Sequence, residues 1–254
     1  MSLVVAAVVA VAYIALSVFI AKKPRSFFDA SVQRMNGKRV QGNFLVVVAH
    51  PDDECMFFAP TIISFLRQRK GREKLLLLCL SVGDYGGQDG EKRQQELFRA
   101  ARVLGLACSD VTVLDSEHVK DGGDWNEALV ADIVHQHCVK NSVQTVITFD
   151  HFGVSGHKNH ACIFHAAKRI PGVTLFALES VSLLRKYASA LDLPLTLLLK
   201  SIVPSTPWVE VVSLEDREVV VRALLQHRSQ MVWFRRLYAL FSRYLLINTF
   251  QVYR

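Results

Sequence analysis

From residue 43 onward, short and nearly unbroken apolar runs alternate with longer stretches whose apolar residues recur every three or four positions. Asn43–His50 (NFLVVVAH), Lys74–Val82 (KLLLLCLSV), Asp110–Leu114, Val143–Phe149 (VQTVITF) and Val173–Leu178 read as buried strands. Thr61–Lys70, Glu91–Leu104, Glu127–Lys140 and Asn159–Arg169 read as the amphipathic helices between them. This alternation predicts an α/β domain: a Rossmann-like, mostly parallel sheet with helices on both faces. Right-handed crossovers bring the loops that follow the strands to one edge, where open sheets of this kind place ligands. Pro60 suits a first helical turn. Trp208–Leu214 reads as a further strand and Glu215–Trp233 as a helix leading into an aromatic, arginine-rich tail (WFRRLYALFSRYLLINTFQVYR). Ser180–Val203 is very apolar but is broken by Pro194, and reads as a surface or interfacial hydrophobic element.

The chain has 254 residues, 51% of them hydrophobic, which is enough for one large core and something more. The surplus lies at the start. Ser2–Ala21 carries no charge and has the length needed to cross roughly 30 Å of hydrocarbon. Lys22, Lys23 and Arg25 follow it, and nothing basic precedes it, the reverse of a cleaved signal peptide. The expected organisation is a transmembrane anchor over 1–21, a basic linker over 22–42 and a catalytic domain over 43–254. The positive-inside tendency places that domain in the cytosol. The five cysteines show no paired spacing, as in a reducing compartment, and no C-x-x-C suggests cysteine-bound zinc. The net charge of +7 comes from scattered basic residues without a nucleic-acid recognition motif. It therefore points to anionic lipid headgroups rather than nucleic acid. The sequence implies no protein partner.

Two runs carry chemistry. His50-Pro51-Asp52-Asp53-Glu54 directly follows the first strand. Pro51 restrains its own φ and the residue before it, so His50 and Asp53 can share one side while Asp52 points elsewhere. Carboxylates aimed differently can take separate tasks, one binding metal and the other handling protons. Glu54 is expected to lie behind the ligands and orient one of them. Gly156-His157-Lys158-Asn159-His160 follows the strand Val143–Phe149, and its two histidines share a face if they enter a helix. Two histidines and a carboxylate from such loops suit one divalent metal with positions left open for water or substrate. Weaker candidates are the glycine-rich loop Gly83–Gly90, Arg93 and Glu96 at the next helix start, and His227 and Gln230 in HRSQ.

VVVAHPDDECMFFAPTI with FDHFGVSGHKNHACIFHA downstream resembles the PIG-L/LmbE-like family of metal-dependent de-N-acetylases. SVGDYGGQDGEKRQQELFRAARVLG is similar to that family's glycine loop and following helix, and HRSQ to its C-terminal motif; the likeness covers about residues 42–235. The resemblance implies His50, Asp53 and His160 as ligands of a divalent metal, zinc being expected. It implies Asp52 as general base and His157 as the group that, protonated, stabilises the oxyanion. Where the family often has proline-aspartate between the two histidines, Lys158-Asn159 stand here. Asp150 is the expected substitute partner for His157. With the apolar N-terminus, the resemblance implies hydrolysis of the acetamide of N-acetylglucosaminyl-phosphatidylinositol at the cytoplasmic face of the endoplasmic reticulum membrane, early in GPI-anchor synthesis. Two rivals stay open: a de-N-acetylase of a soluble N-acetylglucosaminide, and a membrane-tethered scaffold without activity.

Overall fold

The computed structural model describes residues 3–22, 25–28, 42–68, 73–84, 89–202 and 208–253. Among the described residues eight strands form one sheet: β1 (Arg25–Phe28), β2 (Asn43–Val48), β3 (Leu75–Cys79), β4 (Val111–Val113), β5 (Val143–Phe149), β6 (Thr174–Leu178), β7 (Trp208–Val211) and β8 (Ile247–Tyr253). Their order is β1-β7-β8-β6-β5-β2-β3-β4. Neighbours from β4 through β6 pair in parallel, whereas β8 pairs antiparallel with both β6 and β7, and β1 with β7. Phe44–Val48 and all of β3 are buried, as expected of central parallel strands covered on both faces.

Chain order sets the functional edge. From β2 the chain moves outward through β3 and β4, then returns to place β5 on the other side of β2. The strand order reverses between β2 and β5, and the crevice beyond their carboxyl ends is the topological switch point. Both histidine-bearing runs emerge there. After β2, a π-helical turn (Glu54–Phe58) continues into α2 (Ala59–Gln68). The helix α3 (Gly90–Leu104) follows β3 and ends at Gly105, whose φ of 96° closes the helix with a left-handed cap. Asn126 caps α4 (Glu127–Lys140) by accepting the N–H groups of Ala128 and Leu129. After β5, a kinked turn (Gly153–Gly156) leads into α5 (Lys158–Ala167).

The expected strand–helix core is present, with differences at its borders. A helix, α1, does form over Leu3–Ala21, but among the described residues no helix is long and apolar enough to cross a membrane. At about 1.5 Å per residue its 19 residues rise about 28 Å. Its second half is docked on the domain: Ser17, Ile20 and Ala21 are buried, and the Tyr13 hydroxyl donates to the Leu191 carbonyl. Part of the stretch read as a linker is the edge strand β1; residues 23–24 and 29–41 lie outside the described residues. The helix expected over Glu215–Trp233 stops earlier, as α8 (Leu214–Leu224).

The stretch read as Ser180–Val203, of which Val203 lies outside the described residues, resolves into α6 (Leu183–Lys186), a 3₁₀ turn (Ser189–Asp192) and α7 (Leu193–Ile202). A buried ion-pair network holds it down. Asp192 lies 2.8 Å from Arg243 Nε and accepts from Arg185 Nε at 2.7 Å, and the Thr196 hydroxyl joins both sides. The tail forms α9 (Trp233–Phe241), then a 3₁₀ turn (Arg243–Leu245), then β8 inserted between β6 and β7. Asn248 on β8 donates to the Phe57 carbonyl at 2.8 Å and accepts from the Thr61 hydroxyl at 2.7 Å, fastening the start of α2 beside the crevice.

Candidate active site

His50 leaves β2 and is buried. One oxygen of Asp53, Oδ2, accepts the backbone N–H groups of Ala49 at 3.1 Å and His50 at 2.9 Å, so the turn holds this carboxylate back over the strand end. The same oxygen lies 3.7 Å from His50 Nδ1 and 3.2 Å from His160 Nε2. Ligand atoms of His50, Asp53 and His160 all lie within 4.8 Å of one another. Burial alone raises the Asp53 pKa, but the imidazoles of His160 and His50 outweigh it and hold the carboxyl well below the ordinary carboxylate range.

His160 is fixed from behind. Its Nδ1 lies 3.1 Å from the Gly153 carbonyl, and its ring stacks flat on Phe149 with centroids 3.8 Å apart. A carbonyl only accepts, so in the neutral ring Nδ1 carries the proton and Nε2 presents a lone pair. That Nε2 is buried and has no hydrogen-bond partner, although it faces Asp53 Oδ2. Two electron-rich atoms facing each other in a buried crevice suit a cation between them, and the donor set fits a divalent metal held with open positions. Gly153 makes this approach possible: its φ is +61°, and a Cβ there would sit 2.7 Å from the Cβ of His160.

Asp52 points away from Asp53. Its φ is 120°, a conformation rare for a residue with a side chain, and its N–H donates to Glu54 Oε2 at 3.0 Å. Its carboxylate faces two arginines: Arg93 Nη2 lies 3.9 Å from Oδ1, and Arg235 Nη1 contacts Oδ2. Arg93 also donates to the carbonyls of Pro51 and Gly83, bracing the turn against α3. His157 stands beside the set, its ring centroid 4.6 Å from that of His160 and 5.0 Å from that of His50. Burial pushes its pKa down, and His160 and His50 push it further, partly offset by Asp53 and Asp121. This works against the protonated His157 expected from sequence.

The other candidates divide. Glu54 faces away from the metal set: Oε1 pairs with His227 Nε2 at 2.6 Å and accepts from the Cys55 thiol at 3.1 Å, while Oε2 holds the Asp52 N–H. His227 therefore acts through Glu54 on the turn. Glu96 accepts from the Ser229 N–H and hydroxyl at 3.0 and 2.6 Å, tying HRSQ to α3. Asp150 does not partner His157. Its oxygens are taken by the N–H groups of Phe152 and Gly153 and by the N–H and hydroxyl of Ser180, so it shapes the kinked turn. In the glycine-rich loop, residues 85–88 lie outside the described residues.

Two site residues escaped the sequence. Asp121, in the loop beyond β4, lies 3.1 Å from His50 Nε2 and 3.6 Å from Arg93 Nη1. Burial raises its pKa, but His50, Arg93 and His157 bring it below the ordinary value. Its available signal was position: an Asp-Gly-Gly-Asp loop after a parallel strand at the same edge. Arg235 stands on α9, and nothing local marks it among the other arginines of the tail.

Fold and donor set together define a class: α/β proteins with a site suited to a divalent metal at the carboxyl edge of a parallel sheet, and a second carboxylate beside it. A family model described as "PIG-L: GlcNAc-PI de-N-acetylase" matches residues 45–170, and the chain belongs to this family. It is 43% identical over 214 residues to the N-acetylglucosaminyl-phosphatidylinositol de-N-acetylase of Bos taurus, covering 81% of each chain. It is 36% identical over 213 residues to the probable enzyme of the same name from Schizosaccharomyces pombe, covering 81% of this chain and 85% of the relative. The solved N,N'-diacetylchitobiose deacetylase of Pyrococcus horikoshii shares the fold, with a TM-score of 0.57, 14% identity and 83% coverage of both chains.

Proposed function

We propose that this protein hydrolyses the acetamide of N-acetylglucosaminyl-phosphatidylinositol, releasing acetate and glucosaminyl-phosphatidylinositol, an early step of GPI-anchor synthesis. The observation that carries the reading is the convergence of His50, Asp53 and His160 at the switch point, with Asp52 and His157 beside them. The substrate is supported by the two relatives' names and by their coverage of most of this chain. A divalent metal, zinc in this reading, would be held by His50, Asp53 and His160 and supplies Lewis acidity that makes water nucleophilic near neutrality. Asp52 accepts the proton of the attacking water as its oxygen bonds to the acetyl carbon. His157 donates a hydrogen bond toward the oxygen on which negative charge develops. The carbon–nitrogen bond then breaks, Asp52 returns its proton to the amine, and acetate leaves. Asp121, partly exposed beside His50, offers an acceptor for a sugar hydroxyl.

We place the domain on the cytoplasmic face of the endoplasmic reticulum membrane, with Ser2–Ala21 as its membrane-associated segment. The exposed valines, Ile14, Leu16 and Phe19 of α1, the exposed Lys22 just after it and the five unpaired cysteines support this. The direct test incubates the full chain with N-acetylglucosaminyl-phosphatidylinositol in detergent, with and without chelator, and measures acetate. Release that chelator abolishes and added zinc restores is expected. No release, or chelator-insensitive release, overturns the reading.

A further inference from the structure

The helix that carries Arg235 to the catalytic base has two faces of opposite character. Arg235, Tyr238 and Ala239 turn inward; Arg235 contacts Asp52, and the Tyr238 hydroxyl donates to the Met56 carbonyl at 2.6 Å. Trp233, Phe234, Leu237, Leu240 and Phe241 turn outward, and Trp233 is 73% exposed. Five large apolar side chains out to solvent on a helix of nine residues exceed what scattered surface exposure explains.

The neighbours continue the pattern. Tyr187, at the end of α6, meets Tyr238 with ring centroids 6.3 Å apart, and on α6 itself Leu184 is 87% exposed. Beyond α6 comes α7, with Leu198 and Ile202 exposed, and α1 packs beside α7 and the preceding 3₁₀ turn through Tyr13 and Leu191. A run of adjacent helices thus leads from the base of α1 to the catalytic crevice with apolar side chains outward. Each of α6, α7 and α9 is too short to span hydrocarbon; at about 1.5 Å per residue, α7 rises about 15 Å. Short helices with one apolar face and basic flanks lie in the plane of an interface. Here Arg236 on α9 and Arg228 just before it are exposed, and the chain is basic overall.

We propose that α6, α7 and α9 form a monotopic membrane-docking face that seats the catalytic crevice on the bilayer, where a glycolipid headgroup reaches Asp52 while its acyl chains stay in place. Its occupant is the surface of an anionic phospholipid bilayer. Continuity with apolar α1, the basic residues beside the apolar ones and the two-faced geometry of α9 favour it. The proposal rests on the lipid-linked substrate of the preceding reading and deepens it.

Pelleting with vesicles does not test this, because α1 alone would hold the protein. Trp233 fluorescence does, since Trp125 and Trp208 are buried. The full chain is mixed with phosphatidylcholine–phosphatidylinositol vesicles whose acyl chains do or do not carry bromine. Quenching by the brominated lipid that disappears in Trp233→Phe is expected. Absent quenching, or quenching unchanged in that variant, overturns the docking face; so does Trp233 left unquenched because a second copy covers α9. A second arm compares Leu184→Ser/Phe234→Ser with the unaltered chain. Turnover of vesicle-embedded substrate should fall roughly tenfold or more, with turnover of the acyl-free glycan headgroup unchanged. Equal loss on both substrates overturns the proposal. Quenching without any deacetylation would sink the proposed activity and leave the docking face standing.

Discussion

Asp52 and Asp53 are adjacent in sequence and identical in chemistry, yet they face different partners. Oδ2 of Asp53 is bound by two backbone N–H groups and faces His160, while Asp52 turns through a φ of 120° and faces arginines. The positive φ is tolerated because the Asp52 N–H and carbonyl are both engaged, by Glu54 and by Cys55 and Met56. Asparagine tolerates such conformations about as well as aspartate, so Asp52→Asn isolates the carboxylate. It should lower kcat by about 10²–10⁴-fold with metal content unchanged. Steady-state kinetics with metal analysis of the same sample checks this, and near-normal turnover would remove Asp52 as the base. Gly153 is the complementary position. A methyl group there meets the His160 Cβ at 2.7 Å, and a non-glycine residue is strained at φ +61°. Gly153→Ala should therefore shift His160 and weaken metal affinity by roughly 10–100-fold with the fold retained. Competition against a chelator, alongside circular dichroism, measures it; unchanged affinity would mean that His160 does not bind the metal.

Each functional element here is held by a distant one, which limits what the sequence made legible. The alternation after residue 43 revealed β2 to β6 and α2 to α5, because each carries its own period and is buried by covering layers. His50-Pro51-Asp52-Asp53 and His157–His160 were legible for the same reason: each follows a strand whose place at the edge is dictated by the crossovers. β8 was not, because its buried Asn248 and Thr249 break the apolar pattern, and their burial makes sense only once their partners on α2 and around Arg243 are known. The network under α6 and α7 was hidden likewise, since Asp192 and Arg243 are far apart in sequence. Arg243 is fully buried, and it lies with Arg185 against a carboxylate that is itself buried. Removing the shared carboxylate leaves both arginine charges unpaired, that of Arg243 fully buried. Asp192→Ala should cost roughly 3–5 kcal/mol of stability, and adding Arg243→Met should recover part of it. Thermal or urea unfolding of the single and double variants decides this. Equal losses in both would show that the burden is lost packing rather than an uncompensated charge.

At the scale of the whole molecule, the core contains acids that stay protonated at neutral pH because burial forbids their charge. Burial pushes the Cys138 thiol up to about 12 and that of Cys162, where Glu127 adds to it, up to about 11. The Tyr244 phenol also rises to about 12, with burial the main cause and Arg243 opposing it. In the unfolded chain these groups ionise near their ordinary values, about 8.5 for a thiol and about 10 for a phenol. Between those values and the folded ones, the folded protein binds more protons than the unfolded chain. Stability from these groups is therefore complete below about pH 8.5 and is lost as pH rises toward about 12. The melting temperature should hold near neutrality and fall progressively from about pH 9 to about pH 11, before any disulfide chemistry intervenes, in the presence of reductant. Cys138 lies on α4, far from the crevice, so Cys138→Ala tests the cause without touching the site. That variant should start from a lower melting temperature at neutral pH, because a buried side chain is shortened, yet lose less over the alkaline range than the unaltered chain. Parallel curves for the two proteins would mean that the Cys138 thiol ionises as freely in the fold as outside it.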